Sequence, residues 1–139
     1  MPRDYGKIAL TEAARAELLE EADAMRFASV GADGLPHVVP VAFCELDGTV
    51  YFETDADAVK TRNVRATGKA AAVVDLGADD YSQHRGLQWR GDAFVVEDRE
   101  TEKAVERALF GTEKSVSDAG GHERVKIGLE PTREVSWDF

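Results

Sequence analysis

The segment Thr54-Asp55-Ala56-Asp57-Ala58-Val59-Lys60-Thr61-Arg62-Asn63-Val64-Arg65 concentrates residue types that bind phosphate. An alternating run ends at a hydroxyl residue, Thr54, and helical spacing begins a few residues later, with Val59, Arg62, Asn63 and Ala66 in phase. The first backbone N–H groups of a helix lack intrahelical acceptors and attract anions. Lys60 adds a point charge in that first turn, six residues after Thr54, whose hydroxyl can donate a hydrogen bond. With Arg62 and Arg65, three cations fall within six residues of a chain whose net charge is −10. The same residues also suit a solvated basic helix face, or one paired with Asp55 and Asp57. Spacing alone leaves both readings open.

Other reactive residues form no motif. His37, His84 and His122 lie far apart with no carboxylate at metal-ligand spacing, so no metal site is expected. His37 can face a ligand pocket or be an ordinary satisfied histidine. Cys44, the only cysteine, sits among apolar residues and reads as a small buried hydrophobe rather than a nucleophile. Trp89 and Trp137 suit a core or a stacking surface equally well. No Ser–His–Asp or Cys–His arrangement has supporting context.

The elements that must position these residues follow from periodicity. Thr11 caps a helix expected over residues 12–23, in which Ala14, Leu18, Leu19 and Ala22 form one stripe. From Met25 the period is two, and Asp33-Gly34 and Asp47-Gly48 mark hairpins. Between them, residues 35–44 are apolar on both faces and read as a strand buried on both sides, with Pro36 and Pro40 hinting at an edge or bulge. Residues 49–54 form the next strand, 57–67 a short helix and 70–76 a further strand. After the polar loop 77–84, Leu87, Trp89, Gly91, Ala93 and Val95 alternate, with Gly91 a candidate bulge. A helix over 100–110 ends at Gly111, and residues 112–122 form a polar, glycine-rich loop expected to be mobile. Val125, Ile127 and Leu129 then alternate with Arg124, Lys126 and Glu130. Pro131 is expected to end that strand, and residues 135–139 to add a last short one. Many strands, tight turns and no βαβ alternation favour a small antiparallel barrel over a dinucleotide-binding fold.

Composition sets the outer limits. The chain has 139 residues, one domain's worth. The acidic surplus, 27 carboxylates against 17 cations, argues against nucleic acid or an anionic membrane surface as partner. No apolar run approaches the roughly 20 residues of a membrane helix. The first residues, Met1-Pro2-Arg3-Asp4-Tyr5, lack the apolar core of a signal peptide, so a cytoplasmic location is expected.

Five stretches in order carry a resemblance: "ASVGADGLPHVVPVAF" (28–43), "DGTVYFET" (47–54), "TDADAVKTRNV" (54–64), "AAAVVD" (70–75) and "LQWRGDAFVVED" (87–98), with "IGLEPTREVSWDF" (127–139) as an ending. Together they resemble the flavin-binding split β-barrels of the pyridoxamine 5'-phosphate oxidase-like family, which include deazaflavin-dependent reductases. The resemblance implies a mainly β, six-stranded antiparallel split barrel in a single domain, with the N-terminal helix at about 11–23 and the barrel at about 25–137. It also implies a homodimer with FMN at the interface. Thr54 and Lys60 would hold the cofactor phosphate, with Val59 and Asn63 beside them. The strand Val38, Val39, Pro40, Val41 would lie along the ring through its backbone, and Gln88, Trp89 and Trp137 would approach it, some from the second subunit. The chain ends Ser136-Trp137-Asp138-Phe139 in place of the Arg-x-His with which pyridoxamine-phosphate oxidases proper grip substrate. Val59 stands where the family often has Arg or Ser. The expected activity is therefore that of another FMN-dependent oxidoreductase acting on a small, planar molecule. The alternatives are a reductase using the deazaflavin coenzyme F-420 and a non-catalytic flavin- or haem-binding module.

Overall fold

The computed structural model describes residues 5–77, 80, 83–111 and 122–139. Two helices lead, α1 (Tyr5–Ile8) and α2 (Glu12–Glu21). Strands β1 (Met25–Val30), β2 (Pro36–Val41), β3 (Cys44–Leu46) and β4 (Thr49–Asp55) follow, then α3 (Val59–Thr67), β5 (Lys69–Leu76), β6 (Arg85–Val95), α4 (Arg99–Phe110) and β7 (Arg124–Asp138). All neighbours in the sheet are antiparallel, in the order β2-β1-β5-β6-β7-β4-β3. The sheet curls into a split barrel of seven strands where six were expected.

Local chemistry sets the boundaries. Thr11 accepts a hydrogen bond from the Ala14 N–H at 3.1 Å and starts α2, while Asp98 caps α4 through the Thr101 N–H at 2.9 Å. Gly68 and Gly111 end α3 and α4 in the left-handed region, at φ 66° and 75°. Leu18 of α2 is fully buried in the barrel interior with Met25, Phe27, Phe52, Leu87, Trp89, Ile127 and Leu129. Phe27 and Phe52 meet there at 4.6 Å between ring centroids.

Three expectations change. The run 35–44 is not one strand buried on both sides: it divides into β2 and β3, and β2 is a sheet edge on which Val38 is 63% exposed. Two prolines suit the edge, since neither has the N–H that a second neighbouring strand would need. Pro131 does not end its strand, because β7 runs unbroken past it. The register with β6 shifts between Arg90 and Gly91, and Gly91 stands opposite Pro131. A β-carbon on Gly91 would meet the Glu130 carbonyl, so only glycine fits this bulge. The expected last strand is thus the far half of β7. The loop 112–121 and residues 78, 79, 81 and 82 lie outside the described residues.

Polar contacts tie the helices down. Arg15 of α2 reaches Glu134 of β7 at 2.8 Å and Glu45 of β3 at 3.0 Å, and Glu134 also accepts the Trp89 indole N–H at 2.7 Å. Hydrogen bonds from Arg15, and from Trp89, hold the Glu134 carboxyl below the usual carboxylate range against the opposing effect of burial. A depressed carboxylate lends stability that is present above its unfolded pKa and lost as pH falls through the lower folded one. The urea midpoint should therefore hold from neutrality down to about pH 5 and fall below about pH 4. Glu134→Gln should flatten part of that fall. An unchanged acid slope in the variant would contradict the assignment. No helix among the described residues is long and apolar enough to cross a membrane.

Candidate cofactor site

Strand alternation divides the expected site residues between two faces. Residues directly opposed across the ladders share a face, and one row runs Pro40, Arg26, Val73, Gln88, Val135 across five strands. A parallel row runs Val38, Ala28, Ala71, Arg90. Both lie on the outer surface of the barrel. The row between them, Val39, Phe27, Ala72, Trp89, Glu134, points inward. Trp89 is 1% exposed, with Phe43 against its edge at 6.3 Å and Arg15 6.0 Å from its centroid. It is a core residue with no ring face open to a ligand, on the opposite side of β6 from Gln88.

Trp137 lies on the outer face. Its indole rests on Gly86, where an added β-carbon would stand 2.5 Å from Cζ2 and 2.9 Å from the Val74 carbonyl. Together with Gln88, Val73, Val135, Arg26 and Asp75 it lines a cavity of about 690 Å³. His84, Arg85, Leu76 and Phe139 complete the wall. Arg26 and Asp75 form an ion pair at 2.9 Å across its rim. Sequence reading missed these two, although β1 alternation already turned Arg26 outward. Gly86→Ala should cost about 1–3 kcal/mol by overpacking. It should also shift Trp137 emission to the red while Trp89 stays buried. Emission like that of the unsubstituted protein would mean the indole is not seated on Gly86.

The basic segment is organised from β4. The Thr61 hydroxyl donates to the Asp55 carbonyl at 2.7 Å, and the Ala58 N–H donates to the same oxygen at 3.2 Å, closing the turn that starts α3. The helix has no side-chain cap, so its first N–H groups stay open. Thr54 is buried at the end of β4, and Val59 is exposed at the first helical position. Lys60 follows, half-buried and in no ion pair among the described residues. Partial burial, aided by Arg124 and opposed by Asp55, holds its ammonium below the ordinary lysine range. Arg124 is itself bound to Asp55 at 2.9 Å and Glu53 at 3.4 Å. Asn63, one turn after Lys60, donates to Ser29 Oγ at 3.2 Å.

Edge strand β2 supplies backbone. Pro36 and Pro40 can pair with β1 only where their missing N–H faces away from it. Val38 shares their phase, so its N–H is the donor left on the open edge. Val39 and Val41 turn inward, and Val41 packs against the core.

In one chain, then, Val38, Pro40, Gln88 and Trp137 share the outer face, whereas Thr54, Val59, Lys60 and Asn63 gather around the start of α3. Burial pushes the Cys44 thiol up to about 11, leaving it protonated and unreactive at neutral pH. Among the described residues no cluster of His, Cys, Asp or Glu could hold a metal ion.

Residues 10–135 match the family profile described as pyridoxamine 5'-phosphate oxidase. The chain belongs to this family. Solved structures of the pyridoxamine 5'-phosphate oxidase-like barrel superpose on it. The conserved hypothetical protein Rv2991 from Mycobacterium tuberculosis is 26% identical, with TM-score 0.79, over 99% of this chain and 90% of that one. An F420 reductase is also 26% identical, with TM-score 0.61, over 85% and 93% of the two chains. The heme storage protein HutZ from Vibrio cholerae shares the fold at 16% identity and TM-score 0.69, over 90% of this chain and 94% of that one. A comparison with curated proteins finds no significant match.

Proposed function

We propose that this protein is a flavin-dependent oxidoreductase that binds FMN across a homodimer interface and acts on a small planar molecule in the cytoplasm. The observation that carries this reading is the division of the site. Lys60, a partly desolvated cation with no ion pair among the described residues, at an uncapped helix start, is suited to a phosphate. The wall of Trp137, Val73 and Val135 with Gln88 is suited to a flat ring. The two lie on different parts of one chain, and in the proposed dimer a second copy against the outer face would bring one set to the other. Flavin supplies the hydride chemistry when bound. This chain's residues hold the phosphate, orient the ring and keep water from it, with the Val38 N–H free to meet a ring heteroatom.

The deazaflavin F-420 is the second reading. It is favoured by the F420 reductase likeness and by Val59, which puts an apolar side chain directly before Lys60 where a cation or hydroxyl would strengthen an FMN phosphate clamp. Absorption and mass of the small molecule that co-purifies, followed by titration with FMN and F-420, test both. Binding of neither at micromolar concentration rejects the proposal. Lys60→Ala should weaken binding of the phosphate-bearing cofactor by about 1.5–3 kcal/mol, roughly 10- to 150-fold. Unchanged affinity would remove Lys60 from the site.

A further inference from the structure

The ion pair at the rim of the cavity is out of place on an apolar face. Arg26 stands in its row between Pro40 and Val73, and Val38, Ala28 and Ala71 continue the same outer surface. A valine or leucine at that position would extend the surface without a charge. The pair with Asp75 is made by one hydrogen bond at 2.9 Å, between side chains 57% and 42% exposed. Such an exposed pair adds little to stability. A guanidinium carries several N–H donors in a planar fork, and Asp75 takes only one of those of Arg26. The cavity wall also runs against the charge of the chain. The net charge is −10, yet Arg26, Arg85 and His84 face one carboxylate side chain, Asp75, among the described lining residues. Arg85 is engaged at 2.9 Å by Glu21 of α2, which stands outside this cavity. Arg26 is thus the guanidinium with open donors toward a ligand.

We propose that Arg26 determines substrate specificity by exchanging Asp75 for the carboxylate of a planar, acidic substrate. A substrate carboxylate can accept two parallel N–H···O bonds from the fork, where Asp75 accepts one. Asp75 holds the guanidinium in the empty cavity, and a neutral molecule has no group with which to displace it. Arg26 lies opposite Val73, which lies opposite Gln88, so two ladder spacings, about 10 Å, separate its backbone from that of Gln88. A single flat ring bearing an acidic group spans that distance, with its ring toward Val73 and Trp137. The inference rests on the oxidoreductase reading above for the use of the cavity and names the class of substrate.

Calorimetric titration of the full chain with benzoate, benzamide and benzylamine, with and without FMN, tests it. Benzoate should bind about tenfold more tightly than benzamide. Arg26→Gln should remove that preference, and Arg26→Lys, which keeps the charge without the fork, should retain part of it. Asp75→Asn should act in the opposite sense, strengthening benzoate about threefold and leaving benzamide unchanged. A pair that served only stability would give both substitutions the same sign. FMN affinity should be the same in Arg26→Gln as in the unsubstituted protein. Three results overturn the assignment while leaving flavin binding intact: benzoate bound no better than benzamide, benzylamine preferred and then lost in Asp75→Asn, or FMN weakened by Arg26→Gln as much as benzoate. A protein that binds no flavin but keeps the Arg26-dependent benzoate preference overturns the flavin reading and leaves Arg26 as the anion site.

Discussion

Lys126→Ala should destabilise the protein by about 3–5 kcal/mol, the scale of breaking a buried ion pair by removing one partner. Lys126 is 1% exposed, and its ammonium contacts Glu106 at 2.7 Å and Glu53 at 3.0 Å. Burial works against its charge, but the hydrogen bonds to Glu106 and Glu53 outweigh burial and hold it above the ordinary lysine range. Glu106 is fully buried on the inner side of α4, so the substitution strands a carboxylate away from water. Two other cations reach these carboxylates and are weaker partners. Arg99 reaches Glu106 only at 3.3 Å from a half-exposed position, and Arg124 reaches Glu53 at 3.4 Å. Denaturation by urea should show a lower midpoint with an unchanged slope. Pairing Lys126→Met with Glu106→Leu should recover most of the loss, because an apolar pair of similar volume needs no compensating charge. A single-variant loss under about 1 kcal/mol would mean that water reaches the network.

In the proposed homodimer, Val38→Glu should separate the two copies and abolish cofactor binding with them. Val38 is 63% exposed on an edge strand and Leu35 is 70% exposed beside it. Ala28 and Ala71 continue the apolar surface across β1 and β5. In a two-fold interface each substitution counts twice, and two unpaired carboxylates would be buried at once. The cost is roughly 3 kcal/mol or more, over a hundredfold in dimer dissociation. Light scattering at micromolar concentration should read twice the protomer mass for the unsubstituted protein and the protomer mass for the variant. FMN titration should fail in parallel, since the ring wall and the phosphate cation would then belong to separate molecules. A variant that stays dimeric and keeps its cofactor affinity would place the interface elsewhere.

What the sequence determined by itself is what short-range chemistry controls. Asp33-Gly34 and Asp47-Gly48 mark their hairpins because the turns need positive φ, which Gly34 and Gly48 adopt at 79° and 82°. Thr11, Gly68 and Gly111 bound their helices through groups a few residues away. Alternation along β6 already separates Gln88 from Trp89, because a period of two leaves no alternative. Tertiary structure decided what covers each face. Arg124, Lys126 and Glu130 alternate outward from β7 as their sequence implies, yet Lys126 is buried because α4 lies over that part of the barrel and brings Glu106 to it. Pro131 continues β7 because Gly91, distant in sequence, leaves room opposite it for the β7 bulge at Thr132. The apolar run 35–44 became an edge because strand order left β2 a single neighbour. Burial depends on partners tens of residues away, and a local pattern states which way a side chain points without stating what meets it there.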